Sequence, residues 1–474
     1  MSKDLGVTAE KQDAFSEWYT QTIVKAELIE YTDVSGCIVY RPASFAMWEA
    51  VQAFLDAEFK KLGVQNAYFP SLITESLLNK EASHIEGFAP EVAWVTHGGK
   101  SELSERLAIR PTSETVMYAA FSKWIRSHRD LPLLLNQWTN VVRWEFKHPT
   151  PFLRGREFLW QEGHTAHANK EDAEKEAQII LDIYKRCYEE LLAVPVLSGR
   201  KSEKEKFAGA DYSLSLEALF PNGKAIQACT SHHLGQNFSR AFDISFQDVS
   251  GKKEFAWQNS WGFTTRSLGV MIGVHGDDKG LVLPPRIAPI KVVVVPITFS
   301  KKPEVSAEVV SLAKKLCDEN GWHLDDRDHH SPGYRFAEWE LKGVPVRLEI
   351  GPRDLEKKVV VVSRRDQDGK EEIAVDNISS HVETLLEEIQ SGLFLRAKQK
   401  LDSSVVDVSS LDQLKEVVSS GKLARAPWCG SEESEEEIKK VTGAKSLNMQ
   451  GPTSDKCFVT GQKAQGVFVF GRSY

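Results

Sequence analysis

The sequence is poor in sulfur and carries no excess of positive charge. Its 474 residues include six cysteines and five methionines. The cysteines, at 37, 187, 229, 317, 429 and 457, lack the spacing of a disulfide framework. That excludes a small disulfide-stapled scaffold and suits a reducing compartment. Lys and Arg number 59 against 67 Asp and Glu, a formal net charge of −8. With no bulk basicity, any nucleic acid must be met by local clusters of cations. No apolar run approaches a membrane span. The first residues, MSKDLGVTAEKQDAFSEWYT, have neither an apolar signal core nor an Arg-rich, acid-poor transit pattern, so the expectation is a cytoplasmic protein with no membrane partner.

What remains is an ordinary globular composition, 41% hydrophobic and 27% charged, with length enough for two or three domains. The stretch from Val141 to His164, VVRWEFKHPTPFLRGREFLWQEGH, reads as two antiparallel strands around a polar loop. Alternation puts Arg143 and Glu145 on one face and Arg156, Phe158, Trp160, Glu162 and His164 on another. Such a charged face is most often the solvated side of a hairpin. A carboxylate between two arginines, with two aromatics in the same row, instead suits a flat ligand bearing phosphates.

Helical spacing predicts helices over residues 13–30, over 44–62 with Gly63 as C-cap, over 169–192, and from 110–114 to about Arg129, with Thr112 as N-cap. Residues 66–72 read as an edge strand interrupted by Pro70. Residues 83–99 read as a glycine-rich aromatic loop, and 199–206 as a mixed-charge surface. His232 and His233 are adjacent on a strand-like segment, so they point opposite ways and make a poor metal pair. After Pro284, Pro285 and Pro289 the pattern changes to alternating strands and helices, predicting a small α/β domain with a mostly parallel or mixed sheet.

Arg143-Trp-Glu145, a loop, then Arg154 followed four residues later by Phe158 resembles motif 2 of the class II aminoacyl-tRNA synthetases. The surrounding wording is similar to the prolyl-tRNA synthetases of the eukaryotic and archaeal type. Residues 44–72 resemble motif 1, which builds the homodimer interface in that family, and residues 260–269 resemble motif 3. The resemblance implies an α/β (α+β) chain in three parts. These are an antiparallel-sheet catalytic core with flanking helices over 1–287, an α/β anticodon-binding domain over 288–396, and a small C-terminal α+β domain over 397–474.

It also implies the roles of residues. Arg143 would hold the amino-acid carboxylate and the ATP α-phosphate, Glu145 would accept from the adenine amino group, and Arg154 would meet the terminal phosphates. Phe158 would stack on adenine, Gln227 and Thr230 would serve the nucleotide, and Arg266 would clasp the ATP tail. Arg143 and Arg266 would be the catalytic pair. Thr112 and Glu114 would take proline's secondary ammonium, and Trp160, Glu162, Phe207 and His232 would complete the proline pocket, with Phe88 near it. Arg347, Arg353 and Lys358 would meet tRNA. Magnesium would come with ATP, and no protein nucleophile or active-site metal is needed.

About a hundred residues separate motifs 2 and 3, too few for the editing insertion of bacterial-type relatives. Since a missing methylene is worth about 1 to 3 kcal/mol, alanine should be activated at a low rate. Cys429 and Ser434, then Cys457 and Thr460, stand where the family's C-terminal domain has four zinc-binding cysteines, so structural zinc is expected to be absent or weak. The final Tyr474 matches a family habit in which the terminal carboxylate reaches back toward the active site. The partners expected are ATP, L-proline, tRNA(Pro) and a second copy of the chain; membership of a multi-synthetase complex is encoded in no feature. Two alternatives are a sister synthetase for another amino acid and a non-catalytic paralogue that binds tRNA or a regulatory partner.

Overall fold

The computed structural model describes residues 6–84 and 91–474. Among them, eleven strands form one sheet: β1 (Gln65–Asn66), β2 (Leu133–Val142), β3 (Glu157–His167), β4 (Leu197–Arg200), β5 (Tyr212–Leu219), β6 (Ala225–Gly235), β7 (Trp257–Thr264), β8 (Val405–Asp407), β9 (Leu423–Trp428), β10 (Lys445–Gly451) and β11 (Gly466–Gly471). The order is β8-β9-β11-β10-β4-β5-β6-β7-β3-β2-β1. From β4 to β2 every pairing is antiparallel, and β1 joins β2 in parallel at the edge. The antiparallel core expected from the sequence is therefore present.

One face of this sheet packs on helices α1 (Pro42–Lys61) and α3 (Lys170–Arg186). Proline opens α1, where its missing N–H costs nothing. Trp48, Val51, Leu55 and Phe59 then recur at three and four residues and are buried, and Gly63 ends the turn at φ 80°. In α3 the Asn169 side chain accepts from Asp172 N–H, and Ile180, Leu181 and Tyr184 face the core. The large aromatics fit because β3 has no side chain at Gly163, which pairs directly with Trp261 on β7.

Some boundaries differ from the sequence expectation. The first helix ends at Lys25, and Ile29–Tyr31 begins a two-stranded hairpin instead. Residues 66–72 are not one strand: β1 ends before Pro70, and Leu72–Thr74 pairs with Ser101–Ile109 in a separate three-stranded sheet. Pro70 has no N–H to share with a ladder, which accounts for the break. Glu114–Trp124 is a helix (α2), but it stops at Trp124, with a single 3-10 turn at His128–Asp130. Part of the 83–99 loop is strand, Trp94–Gly98, while Phe88 lies outside the described residues.

A second sheet of five strands orders His323–Leu324, Val292–Pro296, Val346–Ile350, Val359–Arg364 and Glu371–Ala374. The first three are parallel and the last two antiparallel, the mixed sheet that alternation predicted. Pro303–Asn320, Pro332–Leu341 and the long helix Ile378–Ser404 accompany it. No described helix is long and apolar enough to cross a membrane.

A Cβ on Gly163 would lie 2.2 Å from the Trp261 ring, and Trp261 is wedged against Phe59 at 4.9 Å between centroids. Gly163→Ala is expected to cost about 3 kcal/mol through overpacking. Thermal unfolding of the variant would register this as a clear drop in midpoint; an unchanged midpoint would remove this account of the glycine.

Candidate active site

The other face of the sheet is the floor of a cavity of about 310 Å³. β3 supplies Phe158, Trp160, Glu162 and His164 at alternate positions, as its pattern predicted. β7 supplies Ser260, Gly262 and Thr264. β6 supplies Gln227, Thr230 and His232, whose spacing breaks strict alternation. A β-bulge resolves the parity: Leu216 pairs with Cys229 but Glu217 with Gln227, leaving Ala228 as an extra residue. Across the strands, Glu162, Gly262 and Thr230 form one row, and His164, Ser260 and His232 the next. Gly262 leaves the centre of the floor open.

One end of the cavity is acidic. Arg110, fully buried, donates to the carbonyls of Phe69 and Asn140 and to the Thr139 hydroxyl, holding the segment that begins α2 against the end of β2. The N-cap of α2 is Ser113 and not Thr112, and even Ser113 does not cap with its side chain. Its N–H and hydroxyl both go to Glu162, at 3.0 and 2.5 Å. The Thr112 hydroxyl instead donates to the Glu114 carboxylate. Glu162 also accepts from Gln137 Nε2 at 3.0 Å and His164 Nε2 at 3.1 Å, while His164 Nδ1 meets the Tyr118 hydroxyl at 3.0 Å.

Burial raises the Glu162 pKa, but the bond and charge of His164 and the bonds from Ser113 and Gln137 outweigh it, so the net shift is downward. Burial lowers that of His164; its bond to Glu162 and the fields of Glu114 and Glu162 outweigh this, and the net shift is upward from 6.5. The ligand atoms of Glu114, Glu162 and His164 lie within 4.8 Å of one another. Both ring nitrogens of His164 are engaged, so the cluster suits a cationic N–H donor better than a metal.

The wall beside it is aromatic. Phe207 stacks on His232 with centroids 4.7 Å apart, and Trp160 lines the same cavity. Ser213 Oγ accepts from Phe207 N–H at 2.9 Å and is hydrogen-bonded to His232 Nδ1 at 2.7 Å, which fixes the ring against the wall. Burial first, then Lys201 and His164, press the His232 pKa down to about 3, so the ring is neutral. Trp160 Nε1 and Ser260 Oγ are buried without a partner, two polar atoms that a ligand can satisfy.

The same cavity is also lined by cations. Arg143 Nε donates to Pro111 O at 2.9 Å, and its guanidinium lies 5.6 and 5.4 Å from the Phe158 and Trp160 rings. Arg266, first residue of helix α4 (Arg266–His275), donates to Leu153 O at 3.1 Å and Gln227 O at 3.0 Å. Arg154 stands in the loop over the Phe146 ring. Burial, with repulsion from Arg143 and Arg154, lowers the Arg266 pKa. Lys201 also reaches the cavity; it is buried and paired with Glu217 at 3.0 Å, not part of a solvated run.

The cavity thus gathers Thr112, Glu114, Arg143, Arg154, Phe158, Trp160, Glu162, Phe207, Gln227, Thr230, His232 and Arg266. Glu145 is not among the lining residues. β2 ends at Val142, so residues 143–146 are loop and not strand, and Glu145 is exposed there. In the second sheet Arg353 and Lys358 are exposed at a short helix, while Arg347 is already engaged with Glu349 at 3.1 Å and stacked on Phe336 at 4.5 Å. The tail is ordered: Tyr474 N–H donates to Ala225 O at 2.9 Å, and Tyr474 borders a second cavity with Arg154 and Arg266. Sequence reasoning gave no role to Arg110, Ser113, Gln137 or Ser213; a buried polar network leaves no periodic signal, although Arg110 directly before Pro111 was visible.

Because the His164 pKa is raised on folding, its stabilisation is complete below its unfolded value near 6.5 and is lost as pH rises through the folded value above that. Between pH 6 and 9, His164→Gln is expected to flatten part of the decline in thermal stability of the parent. Identical pH profiles for the two proteins would exclude a buried imidazolium.

Three family models match the chain in succession: the tRNA synthetase class II core domain (G, H, P, S and T) over residues 94–275, an anticodon binding domain over 291–385, and the prolyl-tRNA synthetase C-terminal domain over 411–474. The cytoplasmic proline--tRNA ligase of Arabidopsis thaliana is 50% identical over 99% of this chain and 91% of its own length. The proline--tRNA ligase of Cenarchaeum symbiosum is 47% identical over 99% and 100%. The bifunctional glutamate/proline--tRNA ligase of Cricetulus griseus is 51% identical over 99% of this chain, which spans a third (33%) of that protein. A crystal structure of prolyl-tRNA synthetase from Cryptosporidium parvum, complexed with halofuginone and AMPPNP, superposes with a TM-score of 0.95 at 49% identity, covering 99% of this chain and 100% of that one. With its antiparallel catalytic sheet, a cavity lined by both carboxylates and arginines, and these likenesses over nearly its whole length, the chain belongs to the class II prolyl-tRNA synthetases.

Proposed function

We propose that this site activates proline with ATP and transfers the prolyl group to the 3′ end of tRNA(Pro). The observation that carries the reading is the lining of one cavity, which brings together the carboxylates Glu114 and Glu162, the guanidinium groups of Arg143, Arg154 and Arg266, and the aromatic side chains Phe158, Trp160 and Phe207. A secondary ammonium has a positive charge and two N–H donors. The Thr112 hydroxyl and the carboxylate end accept them with charge-assisted bonds, while the apolar ring lies between Trp160 and Phe207. The proline carboxylate then points at Arg143.

In the first step a carboxylate oxygen attacks the α-phosphorus of ATP and pyrophosphate leaves; in the second, a terminal ribose hydroxyl attacks the prolyl carbonyl and AMP leaves. Negative charge gathers on phosphoryl oxygens, and the fixed guanidinium groups stabilise it without reorganising. Phe158 stacks on adenine, with Gln227 and Thr230 beside the nucleotide. Glu145 reaches the adenine amino group only if the 143–156 loop folds over it. Hard oxygen donors near the phosphate end, Glu205 and the Gln227 amide, fit magnesium arriving with ATP, which would neutralise the separating phosphates.

The same reading assigns catalysis to residues 1–287, tRNA recognition to 288–396 through Arg353 and Lys358, with Arg347 available only by giving up Glu349, and the remainder to a C-terminal domain. Exposed Tyr31, Val34, Val39, Phe45, Tyr68 and Leu72 support a homodimer built on the 44–72 region. Six free cysteines fit a cytoplasmic setting. The three arginines weigh against a purely tRNA-binding paralogue, which has no use for an ATP site.

Exchange of pyrophosphate into ATP, measured with each amino acid in turn and without tRNA, tests the reading; it should occur with proline, faintly with alanine, and with no other. Arg143→Ala should abolish exchange, whereas Arg353→Ala should leave it intact and weaken tRNA charging alone. Equal loss of both steps in Arg353→Ala would remove the assignment of the second sheet to tRNA. Gly262→Val offers a steric check. A Cβ there meets nothing closer than 3.5 Å, so the variant should fold normally yet lose proline-dependent exchange by more than about 100-fold. Retained exchange would move the substrate off this floor.

A further inference from the structure

The residues at the family's zinc positions do not fit zinc. Two thiols and two hydroxyls converge, with Cys429 Sγ 3.7 Å from both Ser434 Oγ and Thr460 Oγ1. A neutral hydroxyl is a poor ligand for zinc, which takes thiolates, imidazoles and carboxylates. The same arrangement is a good environment for a lone thiolate. Cys429 lies two residues before Ser431, the N-cap of helix α5 (Glu432–Thr442), and receives a hydrogen bond from the Ser431 backbone as well as from the Thr460 hydroxyl. The positive end of the helix adds to this. Cys457 is almost fully buried, and its turn is tied to the segment carrying Cys429 from both sides, by Phe458 N–H donating to Pro427 O at 3.0 Å and by the Thr460 hydroxyl on Cys429 Sγ.

We propose that Cys429 and Cys457 form a peroxide-oxidisable dithiol in place of the zinc site, with Cys429 the attacking thiolate and Cys457 the resolving thiol. The Cys429 sulfur attacks one oxygen of hydrogen peroxide, the O–O bond breaks, and hydroxide leaves and takes up a proton as water. The resulting sulfenic acid is attacked by the Cys457 sulfur. The S–O bond breaks, a second water leaves with the Cys457 proton, and the S–S bond forms. Two electrons pass from the pair to peroxide, and a small-molecule thiol reverses the step.

The other cysteines lack this setting. Burial pushes the thiols of Cys37, Cys187 and Cys229 up and that of Cys317 up to about 11. For Cys429 burial also acts upward, but the bonds from Ser431, Ser434, Thr460 and Cys457 overcome it and bring the thiol down to about 7. Its neighbours reach it from three elements: the α5 start, the turn at 457–460 and the end of β9. Those facing it are hydroxyls, a backbone N–H and the Cys457 thiol.

The test uses the full-length protein, reduced, desalted and exposed to hydrogen peroxide. Non-reducing peptide mass analysis should find Cys429 joined to Cys457, with loss of two titratable thiols that dithiothreitol restores. In Cys457→Ser, dimedone should label Cys429 after peroxide. Iodoacetamide should alkylate Cys429 with a pH midpoint near 7, against about 8.5 for an ordinary thiol. Two free thiols after peroxide would overturn the proposal, as would an unlabelled Cys429 in Cys457→Ser. So would one zinc per chain that is lost in Cys429→Ser.

Discussion

A carboxylate shut away from water holds this active site together. Glu162 is 2% exposed, and an ion so buried is stable only if its lone pairs are met. Its donors come from three places: the start of α2 through Ser113, β2 through Gln137, and β3 through His164. Satisfying one charge therefore fixes the junction of a helix and two strands. The same network places Thr112 and Glu114 at the cavity edge. Removing Glu162 would leave four donors, the His164 ring among them, facing each other, so the role proposed for it toward substrate is inseparable from its structural role.

For the arginines of the same cavity the logic is reversed. Arg143 and Arg266 are each tethered by backbone carbonyls, which fix the guanidinium groups without neutralising them. Three like charges in one cavity repel, and bound phosphates would relieve that repulsion. Arg143 directly follows β2, Arg266 opens α4, and one of the tethers, Gln227 O, sits on the bulged strand β6. Local frustration at a binding site, offset by consistency elsewhere, is the expected signature of function.

How far the sequence revealed this depended on whether the signal was periodic. The alternation in β3 puts Phe158, Trp160, Glu162 and His164 on one face, and the helical spacing of α1 and α3 is equally plain. Gln227 and Thr230 are out of phase, and only the bulge at Ala228 brings them to the same face; nothing in QACTSHH announces an extra residue. Thr112 was a reasonable cap by residue preference, yet Ser113 took that position because Glu162 recruited it. The charged run at 199–206 read as surface, but Lys201 turns inward to Glu217. In each case a tertiary partner outweighed a local rule.

The C-terminal region is built into the catalytic sheet and not merely appended to it. A small isolated domain needs metal because its core is too small to oppose chain entropy. Here Trp428, Ile438, Phe468 and Phe470 form a buried cluster, and β10 meets β4 at Met449 and Arg200, so the catalytic sheet runs on into this region. Asn448 donates to Leu197 O at 2.9 Å across that seam. The buried Glu435 carboxylate accepts from Ser202 and Ser446 at 3.0 and 2.5 Å, joining α5 to the loop that carries Lys201 and Phe207. The region is thus held by shared strands and a satisfied polar network. With stability supplied at the seam, the helix that follows Cys429 braces a wall of the cavity.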